Sequence, residues 1–112
     1  MEIQLNKKQN ILILSLKGRL DGVTANLVEN EFEAQIERNE TLFIFDLTHV
    51  SYISSAGLRA VLIAAKKTKA VKGKLAFVGL DDNVKEVFDM SGFSTILSIY
   101  PTENEALLAF QA

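Results

Sequence analysis

Two adjacent serines and an arginine are the residues of this chain best suited to chemistry. Ser54 and Ser55 follow an apolar segment and open a segment with helical periodicity, and Arg59 lies about one turn further on. A helix N-terminus leaves backbone N–H groups free and favours negative charge, so a phosphate on either hydroxyl would find donors there. Arg59 is four residues beyond Ser55 and within reach of that phosphate. The spacing allows a phosphorylatable serine, but local chemistry alone favours a plain helix cap at Ser54.

The same residues give little indication of an enzyme active site. His49 is the single histidine, so a small serine hydrolase would have to pair Ser55 with His49. Ser55 does not lie in a Gly-x-Ser-x-Gly elbow, which such a nucleophile usually needs. One imidazole near Asp46 does not form a metal ligand set, and no glycine-rich phosphate loop occurs. We therefore expect no catalytic activity, no bound metal and no cofactor.

The composition is that of a small globular chain without a strong charge field. It has 112 residues, of which 48% are apolar, a net charge of -2 and no cysteine. The apolar share supports a packed core, and the charge balance does not favour nucleic-acid phosphates. No signal-peptide stretch and no apolar run of about 18 residues occurs. We expect a cytoplasmic protein that binds neither nucleic acid nor membrane.

The N-terminal segments predict a hairpin. Residues 3–5 indicate a first strand, and residues 7–10 a turn. Residues 11–17 indicate a second strand, in which leucines at every second position mark one face. Residues 18–22 are predicted to form a loop.

The next segments predict a helix and then a buried strand. Thr24 is a suitable N-cap for the helix. Its core stripe is predicted to consist of Leu27, Val28, Phe32 and Ile36. Residues 42–47 are almost entirely apolar, which is typical of a strand covered on both faces. We expect residues 48–53 to form the loop that leads to the serines.

Helices and strands alternate through the second half as well. A helix over about residues 55–69 has a predicted core face of Leu58, Val61, Leu62 and Ala65. The remaining elements are a strand over 75–78, a short helix capped at Asp82 or Asn83 and ended by Gly92, an edge strand over 96–100, and a last helix capped by Thr102. This alternation predicts an α/β fold with a mixed β-sheet of four to five strands, flanked by about four helices.

Three motifs give the chain a family resemblance. They are Gly18-Arg19-Leu20-Asp21, the segment from Asp46 to Leu58, and Phe88-Asp89-Met90-Ser91-Gly92-Phe93. Together they resemble the STAS domain, and more narrowly the bacterial anti-sigma-factor antagonists. The resemblance runs from about residue 3 to residue 110 and implies a single STAS domain over residues 1–112, without enzymatic activity of its own.

The same resemblance implies partners and a switch. Family members bind a serine-kinase anti-sigma factor and so free the sigma factor. The kinase phosphorylates a serine at the start of the helix after the third strand, and a metal-dependent serine phosphatase reverses this. Aligning on Gly57 and Leu58 puts Ser55 at the acceptor position. Where the family has an aspartate this chain has Ser54, which is therefore a second candidate acceptor.

From this resemblance we expect the unphosphorylated domain to dock on the kinase, and phosphorylation of Ser55 to weaken that contact. The expected partner-binding residues are Asp21, Asp46, Thr48, Ser54, Gly57, Leu58 and Arg59. Leu58 belongs either to the core or to the apolar centre of the interface. The alternative is a STAS interaction module of a lipid-transport or other regulatory complex whose serine is never phosphorylated. The oligomeric state is left open by the sequence.

Overall fold

A computed structural model describes residues 1–111, which form one sheet with helices on both faces. The strands are β1 (Glu2–Lys8), β2 (Ile11–Leu20), β3 (Leu42–Ile53), β4 (Lys74–Val78) and β5 (Ser98–Tyr100). The helices are α1 (Ala25–Glu37), α2 (Ser55–Ala70), α3 (Asp82–Met90), α4 (Phe93–Ile96) and α5 (Glu103–Gln111). The predicted α/β fold with a mixed sheet is confirmed. None of the helices within residues 1–111 has both the length and the apolar character that crossing a bilayer requires.

The five strands lie side by side in chain order, from β1 to β5. β1 and β2 form an antiparallel hairpin, and every later pair is parallel. The hairpin turns at Gln9 and Asn10, whose φ angles of 54° and 68° are those of a tight two-residue turn. Because each parallel pair needs a crossover, α1, α2 and α3 connect successive strands and return the chain to the same end of the sheet.

The alternating leucines of β2 divide the core into two layers. Leu12, Leu14 and Leu16 face the layer covered by α1, α2 and α3, as the period of two predicts. Ile11 and Ile13, which alternate with these leucines, face α5 on the other side of the sheet. Neighbouring aromatic rings run through the larger layer, and their centroids lie 4.6–6.1 Å apart: Phe32, Phe43, Phe45, Phe77, Phe88 and Phe93. The helices are thereby fixed over the sheet.

The loops predicted at 18–22 and 48–53 are wrong for most of their length. β2 continues to Leu20, and β3 continues to Ile53. Their parallel pairing shifts register twice, between Ser15 and Lys17 and between Gly18 and Arg19. Each shift is a bulge that breaks the strict alternation of inward and outward side chains. The period of two is lost there, so the sequence pattern does not indicate a strand.

The helix predicted over about residues 55–69 is confirmed as α2, but α4 was not predicted, and some predicted core and cap residues of the helices are wrong. Leu27 was predicted to be core but is 51% exposed, whereas Val28 and Phe32 are buried. The cap of α3 is Asp81, whose side chain accepts the N–H of Val84, and not Asp82 or Asn83. In α2 the buried positions are mainly small residues, which let the helix lie close to the sheet; they are Gly57, Ala60, Val61, Ala64 and Thr68.

Candidate functional site

The start of α2 is tied to the end of β2 through Ser54. The backbone N–H of Ser54 donates to the carbonyl oxygen of Leu20 at 2.9 Å. Its side-chain Oγ accepts the backbone N–H of Gly57 at 3.3 Å, while its ψ of 178° is extended. This is N-cap geometry, so one donor of the first turn is satisfied by the Ser54 hydroxyl. The cap predicted at Ser54 is confirmed.

Gly57 brings the first turn of α2 into contact with the strand ends. A Cβ at this position would lie 2.5 Å from the carbonyl oxygen of Leu20 and 2.8 Å from Cγ1 of Ile53. Both distances are shorter than any ordinary carbon contact, so only glycine lets the helix sit at this depth. Gly57 is buried, and its role is to set the height of α2 above the sheet.

Ser55 is the first residue of α2, and its side chain is exposed. It stands beside the free N–H groups of the first helical turn, which favour an added negative charge. Arg59, also exposed, lies one turn further along the helix. The structure therefore places an accessible hydroxyl, helix donors and a guanidinium within one turn of the same helix.

A shallow groove runs from this point between α1 and α2. It has a volume of about 280 Å³ and is lined by Gly22, Ala25, Asn26, Glu29, Ala56, Arg59 and Ile63. At the end of the groove near the start of α2, the segment before α1 comes into contact with this helix. A Cβ added to Gly22 would lie 4.0 Å from the Cβ of Ala56. The segment before α1 and the first turn of α2 thus form one continuous surface around Ser55.

Asp21 shapes this surface by binding its own backbone. Its Oδ1 accepts the N–H groups of Val23 at 3.0 Å and Thr24 at 3.2 Å, and Nε of Arg19 lies 3.6 Å from Oδ2. The pKa of Asp21 lies below its usual 3.8, chiefly because of the bond from Val23, then the bond from Thr24. The carboxylate therefore stabilises the turn that leads into α1, and this turn holds Val23 with 84% of its surface exposed.

Asp46 and Thr48 do not join this cluster. Asp46 lies in register with Val78, which packs in the layer facing α5, so its side chain is on the face of the sheet opposite α2. It lies about 20 Å along β3 from the strand end at Ile53. Its Oδ1 accepts the N–H of Thr48 at 3.0 Å and the Thr48 hydroxyl at 2.5 Å. These two residues brace the first bulge of β3.

Leu58 is half-buried and packs against the larger core layer. Of the two roles expected for it, the structure favours a core position at the edge of the surface around Ser55.

The histidine and the acidic residues form no catalytic or metal-binding group in the described chain. His49 is exposed in β3 and lies about 13 Å along the strand from its end at Ile53. Within residues 1–111 no three histidine or acidic side chains are grouped as metal ligands. The geometry therefore gives no support to a hydrolase that pairs Ser55 with His49.

One contact near the site was not predicted from the sequence. The guanidinium of Arg19 lies over the ring of Tyr52, with its carbon 4.1 Å from the ring centroid. The two residues are opposite each other in the β2–β3 register, beyond the second bulge. The pairing of Arg19 with Tyr52 could be predicted only if side chains alternated regularly between the two faces through residues 48–53. The bulges interrupt that alternation.

Comparison with known proteins gives relatives that cover nearly the whole chain. A candidate anti-sigma factor antagonist of Bordetella bronchiseptica, BtrV, is 37% identical over 111 residues, which is 99% of this chain and 96% of that protein. Among solved structures, a candidate anti-sigma factor antagonist from Thermotoga maritima has a TM-score of 0.95 at 20% identity, covering 98% of this chain and 95% of the other. The Bacillus cell fate determinant SpoIIAA in its phosphorylated form has a TM-score of 0.75 at 22% identity, covering 97% and 99%.

The structural neighbours share the overall fold described above. The model of the STAS domain family matches residues 2–106, from the first residue of β1 into α5. This match includes the start of α2 with its capping serine, Ser54, and its buried glycine, Gly57. The chain belongs to the STAS domain family.

Proposed function

We propose that this protein is an anti-sigma factor antagonist that binds a serine-kinase anti-sigma factor and is switched off by phosphorylation of Ser55. The observation that carries the proposal is the contrast between the two serines at the start of α2. Ser55 is exposed, whereas Ser54 is half-buried and its oxygen accepts a backbone N–H. The relationship to BtrV supports the functional class.

The contrast between the serines selects the acceptor. A kinase needs a hydroxyl that can enter its active site as a nucleophile. To enter the kinase, the Ser54 hydroxyl would first have to give up the bond from the Gly57 N–H, at a cost of about 1 kcal/mol for the lost hydrogen bond. Phosphorylating Ser55 leaves that cap intact, so we assign the acceptor role to Ser55 and keep Ser54 as the second choice.

Phosphorylation of Ser55 would change the surface more than the fold. The phosphate adds a charge of about -1.5 to -2 and three acceptor oxygens. The helix N-terminus and Arg59 stabilise this charge in the free protein. In the complex the same charge would lie within a desolvated contact, where an unpaired charge is costly. Binding to the kinase is therefore weakened while the domain stays folded.

The proposed docking surface is the continuous one around Ser55. It includes the turn held by Asp21, the exposed parts of Ser54 and Leu58, and the Arg59 side chain. Gly57 is buried beneath this surface and contributes indirectly, because it sets the distance between α2 and the sheet. Asp46 and Thr48 lie on the other face of the sheet, so we assign them a supporting role through the β3 bulge.

The remaining features of the proposal follow from this class. Residues 1–112 act as one STAS domain in the cytoplasm. A metal-dependent serine phosphatase removes the phosphate from Ser55 and restores binding. The domain itself catalyses neither step.

The experiment is phosphate mapping with matched serine variants. The chain is incubated with a purified serine-kinase anti-sigma factor from the same genome and Mg-ATP, and the phosphopeptide is identified by mass spectrometry. Ser55→Ala should abolish the modification. Ser54→Asp removes the other hydroxyl but keeps an oxygen that can cap the helix, so it should still be phosphorylated.

The outcomes separate the proposal from its alternative. Phosphate that persists in Ser55→Ala and disappears in Ser54→Asp would move the switch to Ser54. Tight binding to the kinase with no phosphate on either serine would favour a STAS interaction module without a switch.

A further inference from the structure

The outer edge of β1 is open. Among residues 1–111, β1 pairs with β2 on one side and with no strand on the other. Its register runs without a shift from Glu2 opposite Lys17 to Lys8 opposite Ile11. β1 contains neither proline nor a bulge, the two features that usually interrupt a sheet edge. Its backbone is therefore a continuous template for another strand.

Apolar side chains line the same edge. Ile3 and Leu5 point to the face of the sheet that carries α1, since they lie in register with Leu16 and Leu14. Leu5 is 41% exposed, and Leu27 of α1 is 51% exposed. A groove of about 440 Å³ runs between the strand and the helix and is lined by Met1, Ile3, Leu27, Asn30 and Glu31. Leu27, which was predicted to lie in the core, instead forms an exposed apolar strip with Ile3 and Leu5.

The lysines of this edge do not protect it as edge lysines usually do. Lysines on an edge strand normally repel a second strand by their free charge. Here Nζ of Lys7 lies 2.8 Å from Oε2 of Glu40, and Nζ of Lys8 lies 2.6 Å from Oε2 of Glu103. Their charges are partly offset within the same chain, which weakens the repulsion of a second strand. Because both lysine side chains stay about half exposed, at 51% and 47%, each ammonium keeps donors for a further carboxylate.

The charge pattern of β1 is complementary to itself. The strand has an acid at its first position, Glu2, and a base at its last, Lys8. When two copies run antiparallel and overlap fully, Glu2 of each lies opposite Lys8 of the other. The middle residue, Leu5, then meets its own counterpart on a two-fold axis. Opposite charges and apolar residues directly across two strands are both stabilising.

We propose that a second copy of this chain pairs with β1 in this antiparallel register and joins the two sheets into one. A two-fold axis normal to the sheet keeps both copies of α1 on the same face. The two Leu5 side chains then meet on the axis, on the same face as Leu27, and each Ile3 lies opposite Lys7 and diagonal to Leu5 of the other strand. A second copy satisfies both ends of the strand at once, which an unrelated strand would match only by chance.

The test is the mass of the purified chain in solution as a function of concentration, by sedimentation or light scattering. The expected result is a reversible shift from the chain mass of 12.4 kDa to twice that value. Leu5→Lys puts two ammonium groups together at the two-fold axis and should weaken dimerisation about tenfold or more. Met90→Lys is the matched control, because Met90 is 81% exposed and lies on α3, far from β1 in the sheet order.

A charge-reversal pair tests the register itself. Glu2→Lys alone and Lys8→Glu alone each place like charges opposite one another, so each variant should be mainly monomeric. Mixing the two variants restores both opposite-charge pairs and should restore the dimer. This rescue depends on two folded variants, so it separates lost pairing from lost folding.

Three results would overturn the proposal. One is a monomer at every concentration, and another is a dimer that Leu5→Lys leaves intact. The third is a β1 whose backbone amides become protected from exchange only when a different protein is added, which would assign the edge to that partner. None of these results bears on the phosphorylation of Ser55, so this proposal and the proposed function fail separately.

Discussion

Replacing Gly57 with alanine should lift the first turn of α2 away from the strand ends. The new Cβ would start 2.5 Å from the carbonyl oxygen of Leu20 and 2.8 Å from Cγ1 of Ile53. An ordinary contact needs roughly 3.4 Å or more, so the helix would have to move by nearly 1 Å. Neither neighbour yields easily, because one is backbone and the other is buried. The bond from the N–H of Ser54 to Leu20 would lengthen as a result.

The magnitude follows from two opposing effects. Overpacking of this kind costs about 1–3 kcal/mol, and the better helix propensity of alanine returns up to about 1 kcal/mol. Because the shorter contact is with backbone, we expect the upper part of the first range and a net loss of about 1–2 kcal/mol in the free energy of unfolding. Urea denaturation followed by circular dichroism measures this loss.

Gly22→Ala is the matched control. Its Cβ would lie 4.0 Å from the Cβ of Ala56, which is ordinary contact, so its unfolding free energy should change by no more than about 0.5 kcal/mol. If Gly57→Ala is as stable as the wild type and is phosphorylated at the same rate, then α2 does not depend on this close approach and our description of the site is wrong.

Three further predictions concern the residues around the site. Ser54→Ala should lower the unfolding free energy by about 1 kcal/mol in urea denaturation, and Ser54→Asp should restore it, since both depend on the cap; equal stabilities would contradict the cap. Because the pKa of Asp21 is lowered in the fold, its stabilisation is complete above its usual pKa of 3.8 and is lost as pH falls through the lowered value. Asp21→Asn should therefore show a smaller loss of stability in acid titrations of unfolding, and an unchanged acid profile would count against this role. Asp46→Ala should cost about 1–2 kcal/mol by freeing the N–H and hydroxyl of Thr48, yet leave affinity for the kinase unchanged; a large loss of affinity in calorimetry would make Asp46 a direct contact.

The regular parts of the fold could be predicted because their patterns are periodic. β2 has a leucine at every second position, and these leucines face the larger core layer as that pattern predicts. α2 begins at Ser55 with a capping serine before it, and both features were predicted from residue types alone. In each case local propensity and tertiary packing favour the same structure.

The irregular parts could not be predicted because tertiary contacts decide them. The bulges between β2 and β3 turn a predicted loop into strand and bring Arg19 over Tyr52. Asp46 matches a site motif in the sequence, but its place in β3 puts it on the opposite face from Ser55. Leu27 has the spacing of a core residue but lies at the open edge beside β1. The periodicity of apolar residues along the sequence does not indicate which edge of the sheet is left unpaired.

The most direct test of the central claim compares two forms of the same chain. Calorimetric titration of the serine-kinase anti-sigma factor should give a much higher affinity for the unphosphorylated protein than for protein phosphorylated at Ser55, with a difference of about tenfold or more. Circular dichroism should show the same fold in both forms. Equal affinities for the two forms, measured with fully modified protein, would contradict the account of Ser55 as the switch.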